Sequence, residues 1–249
     1  MMQLPKSWKE IDVYKFKEIR ALFTIENVFE REIEILSIIL DVPLDSLEDY
    51  DISEINNMIS KIDFINSEPS KIFKKEIDNF IFKPLQKLTC GEFIDIEHYL
   101  STDYMKNIGH IAAILYKKFK INEWDEIVYE PYTYSVKQRC EQFDEICIND
   151  IFGIIPEYLN FRENFLKNYN PLFEGTDNQD DDDDDDYRPK TSEEKKAIQQ
   201  EKSAKKWSWE SLIYNLCNED LTKFNDVTNL PLILVFNMLS MRKEITAKN

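Results

Sequence analysis

Four glycines in 249 residues are too few for a glycine-rich phosphate cradle, and too few for an all-β fold dense in tight turns. Histidine is scarcer still. His98 and His110 are the two present, and no His-Glu-x-x-His pattern joins them, which leaves no zinc-protease signature. No G-x-S-x-G elbow, Walker loop or dinucleotide-binding fingerprint occurs. No apolar run reaches the roughly 18 residues a membrane span needs, so no transmembrane helix is expected. The opening, MMQLPKSWKEID, lacks the apolar centre of a secretory leader, and none is expected. The four cysteines (Cys90, Cys140, Cys147, Cys217) are scattered, a usage that fits reduced thiols in a cytosol. Cys140 and Cys147 stand seven apart, on one face of a predicted helix, and read as small buried residues.

Acid is what the chain has in excess. Its formal net charge is −17, from 48 Asp and Glu against 31 Lys and Arg. Residues 1–172 carry −11, residues 173–190 carry −7, residues 191–206 carry +2 and residues 207–249 carry −1. Such a surface repels phosphates, so no nucleic-acid partner is expected. Carboxylates are too common for any one pair to signal acid–base catalysis. The single cluster of mixed chemistry is Asp95, Glu97 and His98 within one helical turn, with His110 further on. A partly exposed histidine on an amphipathic helix accounts for it, so the expectation is no enzyme, no metal and no cofactor.

The densest acid is Asp180 to Asp186, seven in a row. Adjacent carboxylates repel and cannot be buried, so the stretch reads as an extended, solvated linker. A calcium loop counted from Asp177 would need glycine at its sixth place and glutamate at its twelfth; Asp182 and Arg188 stand there instead. The aspartates divide the chain into a helical main domain (1–172), an acidic disordered linker (173–191), and a tether helix with a C-terminal helical hairpin (192–249).

Apolar residues make up 43 % of the chain and aromatics 13 %, enough for a real core. Their spacing predicts a mainly α fold. Tyr14, Phe16, Ile19, Leu22 and Phe23 form one helical stripe. Val28 to Leu40 form another, stopped near Pro43, and Ile52 to Ile65 a third. Short β-prone runs flank Asp78-Asn79, which predicts a small hairpin. Thr89 and Glu92 form a capping box before an apolar run, so a helix should begin at about Cys90. Further helices are expected over Asn107–Tyr116, Val136–Ile148 and Ile151–Leu166, with a strand at Ile127–Glu130.

Beyond the linker, EEKKAIQQEKSAKK reads as a solvated helix leading into WSWESLIYNLC. Trp209, Leu212, Ile213 and Leu216 define an apolar face there. A second helix should open at Pro231, which suits a first turn, and run through Leu234 and Met238 to about Arg242. Trp207 and Trp209 point about 200° apart on a helix, so one of them can serve as an interface anchor. The candidate partner-binding residues are Trp207, Trp209, Leu212, Ile213, Leu216, Leu234 and Met238. So small a hairpin is insecure alone and should dock on the main domain or on something else.

In order, these features resemble bacteriophage tail-assembly chaperones. LPKSWKEIDVYKFKEIRAL and IEILSIILDVPLDSLEDYDISEI are similar to that family's "W-x-x-I" start, its first helix and its "lsil" segment. LTCGEFIDIEHYL, IGHIAAILYKKF and YEPY resemble a middle section of related tail-gene-cluster proteins. Lys117-Lys118 depart from that section, where arginine–proline is usual. WSWESLIYNLCNEDLTKFNDVTNLPLILVFNMLS looks like the helical tail after a charged linker. The resemblance implies a non-enzymatic protein that binds and solubilises a phage tail (tape-measure) protein in the host cytoplasm, with self-association along that rod. The alternative it leaves is a virion structural or connector protein of a tailed phage.

Overall fold

The computed structural model describes residues 4–131, 136–173, 211, 213–214, 216–217 and 219–247. The architecture is mainly α with one small antiparallel sheet, as the spacing predicts. The predicted linker, Phe173 apart, lies outside the described residues, as do the tether helix and most of WSWESLIYNLC. The described residues fall into two compact units, one within 1–85 and 96–161, the other within 86–95 and 162–249. The composition-based division at 172 and 191 follows charge; these units follow packing.

In the first unit, α1 (Val13–Ala21) starts at Asp12, whose carboxylate accepts from the Lys15 amide at 2.7 Å, a standard N-cap. It buries Val13, Phe16 and Ile19. The preceding Trp8 and Ile11 are core residues, 4 % and 2 % exposed. The Trp8 ring meets Phe16 and Phe64 edge-on at 5.4 and 5.2 Å. α2 (Val28–Leu40) ends at Asp41, which takes a left-handed conformation (φ 53°) two residues before Pro43. α3 (Ile52–Lys61) opens with an Asp51–Glu54 capping box and buries Ile55, while Ile52 at its start stays exposed.

The sheet follows. β1 (Glu76–Ile77) and β2 (Phe80–Phe82) are the predicted hairpin, turned by Asp78 at φ 49°. β2 pairs with β3 (Tyr116–Ile121), and β3 with β4 (Ile127–Tyr129), all antiparallel. β3 corrects the helix expected to reach Tyr116. α4 (Cys90–Leu115) stops one residue earlier, and the Lys83 amide bonds the Leu115 carbonyl at 2.8 Å. Tyr116 then pairs with Phe82 and is fully buried. α4 itself is interrupted at Asp103 (φ −143°, ψ 97°). The Asp103 carboxylate accepts from the Met105 amide at 3.1 Å and caps the second half, so the two helices read from the sequence are present.

The helix expected over Val136–Ile148 breaks as well. α5 (Val136–Asp144) is followed by α6 (Ile148–Ile151) and α7 (Ile154–Asn168). The N-terminal segment causes the break. Val13 donates to the Ile146 carbonyl and Ile148 to the Ile11 carbonyl, both at 2.9 Å. Those bonds flank a bridge between Asp12 and Cys147, and they divert the backbone between Asp144 and Ile148 from a continuous helix. Gly153, between α6 and α7, faces the Lys71 carbonyl so closely that a Cβ would sit 2.2 Å from its oxygen. Only glycine permits that approach.

In the second unit the predicted capping box is present. The Thr89 amide donates to Glu92 Oε2 at 2.9 Å, and the Glu92 amide to Thr89 Oγ1 at 3.3 Å. α8 (Asn170–Phe173), α9 (Phe224–Thr228) and α10 (Leu232–Ala247) complete the labelled helices. α10 begins next to Pro231 as predicted and runs past Arg242. The segment leading into it is bonded to the start of α4: the Cys90 amide donates to the Leu230 carbonyl and the Leu232 amide to the Leu88 carbonyl, both at 2.9 Å. Phe236 packs on Phe93, Phe165 and Tyr169 with ring centroids 6.2, 4.8 and 5.2 Å apart. The C-terminal helix thus docks on residues that the sequence assigned to the main domain.

Candidate functional site

α10 opens with LILVFNMLSM, apolar nearly all round. A helix of that kind belongs inside a protein, yet among the described residues one side of this one is packed and another is exposed. Leu232, Val235 and Phe236 are buried, and the Tyr169 hydroxyl fixes the helix by donating to Asn237 Oδ1 at 2.8 Å. Leu234, Met238, Met241 and Ile245 are 44, 48, 56 and 54 % exposed. Their 4-3-4 spacing places them within an arc of about 60° at 100° per residue. That narrow stripe has the seam geometry by which one helix packs along another. Unbranched methionines in its middle adapt to irregular apolar partners.

No protein-family model, curated protein or solved structure matches this chain. The site therefore rests on its own geometry. Of the candidate partner-binding residues, Trp207, Trp209 and Leu212 lie outside the described residues. Ile213 is buried and Leu216 half-buried. Leu234 and Met238 are on the stripe. Met241 and Ile245 are not among the sequence candidates: Met241 lies within the helix read to about Arg242 and continues the spacing of Leu234 and Met238, while Ile245 comes onto the stripe only when the helix is extended.

The residues of the candidate chemical cluster differ in their surroundings. Glu97 is buried and accepts from the Tyr158 hydroxyl at 3.0 Å, while His98 next to it is exposed. His110 stacks on Tyr99, with centroids 4.8 Å apart, and its Nδ1 lies 3.5 Å from Cys140 Sγ. A cysteine beside a histidine invites a nucleophile reading, and the electrostatics oppose it. Burial pushes the Cys140 thiol up to about 11, Asp144 and Glu141 push the same way, and only Lys17 opposes them. At neutral pH the group is a protonated thiol, not the thiolate that attacks. Among the described residues no three His, Cys, Asp or Glu side chains gather as a metal site, and no helix is long and apolar enough to cross a membrane.

Proposed function

We propose that this chain is a non-enzymatic assembly chaperone that shelters apolar helices of a phage tail (tape-measure) protein in the host cytoplasm. The observation that carries this reading is α10, a helix whose opening is apolar nearly all round and which is packed on one side. Its exposed stripe of Leu234, Met238, Met241 and Ile245 matches the helix-on-helix mode by which amphipathic segments are held. The net charge of −17 keeps a complex with a long apolar rod dispersed. The likeness of the opening, middle and C-terminal segments to tail-assembly chaperones supplies the identity of the rod.

Coexpression with a long coiled-coil tail protein tests the reading. The native chain should hold that protein in the soluble fraction. The double variant Leu234→Glu, Met238→Glu should lower its capture by about tenfold or more, with the chaperone's own melting temperature unchanged because both positions face solvent. A rod whose solubility ignores this chain, or a double variant as effective as the native protein, refutes the proposal. Recovery of the chain in purified virions by mass spectrometry would favour a structural connector instead.

A further inference from the structure

The far end of the β3–β4 pair is built unlike the rest of the sheet. β2 pairs with β3 only over Tyr116, Lys117 and Lys118, so Phe119, Lys120 and Ile121 pair with β4 alone. A two-stranded arm is marginal when nothing covers it. Its loop is nonetheless held firmly. Asn122 Oδ1 accepts from the amides of Trp124 and Glu126, both at 2.9 Å, and Asn122 Nδ2 donates to Glu126 Oε2 at 3.0 Å. The Asn122 amide bonds the Glu126 carbonyl at 3.0 Å, and Asp125 closes the turn at φ 57°.

What this clamp presents is apolar. Trp124 is 77 % exposed, and the cross-strand partners Ile121 and Ile127 are exposed on one face of the arm. Glu123, Asp125 and Glu126 interleave with them, and no Lys or Arg occurs between Lys120 and Lys137. An exposed tryptophan on a hydrogen-bonded loop, with acidic residues on either side of it in sequence, has the makings of a binding hot spot: the indole supplies the hold, the acidic neighbours supply encounter and register, and the bonded loop lowers the ordering cost.

We propose that this arm is a docking tip for a basic amphipathic segment of another protein, whose apolar residues cover Trp124, Ile121 and Ile127 while its Lys or Arg side chains face Glu123 and Asp125. Charge complementarity selects this occupant. Nucleic acid and anionic membranes carry the same sign as the tip and are repelled. The tip lies in the first unit and owes nothing to the α10 stripe, so it extends the proposed function without depending on it.

The test is selection of the full chain, at low salt, against a yeast-displayed library of random peptides about 16 residues long, a few helical turns. Enriched peptides should combine an apolar face with Lys or Arg beside it. Their affinity should fall by at least about tenfold on Trp124→Ala and several-fold on Glu123→Lys, with the chain's melting curve unmoved. The Leu234→Glu, Met238→Glu variant should bind them as the native chain does, which separates this proposal from the chaperone reading. Three results overturn it: no basic peptide enriched, binders indifferent to Trp124→Ala, or a concentration-dependent dimer in analytical ultracentrifugation that Trp124→Ala abolishes.

Discussion

Burial decides the chemistry of single residues here. The Cys90 thiol, 1 % exposed, is pushed from an ordinary value of 9.0 up to about 12 by burial alone, and Cys140 reaches about 11. Tyr116, also buried, is raised in the same direction. The unfolded chain ionises these thiols near their ordinary value, whereas the folded chain keeps its protons. Between about pH 9 and 12 the folded state therefore holds more protons than the unfolded one. Stability is full below that window and declines as pH rises through it. Urea denaturation should give a lower midpoint at pH 10 than at pH 8, and Cys90→Ala should show a shallower decline. Single residues were also where the sequence spoke most clearly. Thr89 with Glu92, Asp78 and Pro231 each mark a boundary through their own backbone chemistry, and each boundary is found. Gly153 gave no such notice, because its need is set by the Lys71 carbonyl, far away in the chain.

Among the elements, those fixed by local pattern were legible and those fixed by distant pairing were not. β3 follows an apolar helix without a breaker, and YKKFKI becomes a strand only because β2 offers it a register. Tertiary context of that kind overrides propensity. The break after Asp144 has the same origin, since Ile146 and Ile148 bond to Val13 and Ile11. α10 was half legible: its start and the exposed Leu234 and Met238 could be read, while its buried face of Leu232, Val235 and Phe236 could not. That division between faces is measurable. Phe236→Ala, which empties a space among Phe93, Phe165 and Tyr169, should cost about 3–5 kcal/mol in chemical denaturation. Met241→Ala, on the open face, should leave the midpoint nearly unchanged.

For the whole molecule, charge is the dominant fact. A net −17 makes the folded chain repel itself. Salt relieves that strain by shortening the screening length from about 30 Å at 0.01 M to about 10 Å at 0.1 M. Melting temperature should rise by a few degrees over this range; a fall would mean that attractive ion pairs outweigh the repulsion. A half-buried pair such as Lys17 with Asp144, 2.7 Å apart, pulls the other way, each such pair by a modest amount.

Thr89 and Pro231 are partners across about 140 residues of chain. On a ribosome adding about 5–20 residues per second, the first waits roughly seven to thirty seconds for the second to be made. Until then Phe93 and Phe165 have no Phe236 to cover them, and the nascent molecule carries a sticky flank of its own. A protein read as a guardian of other chains' greasy helices thus passes through an interval in which it needs guarding itself.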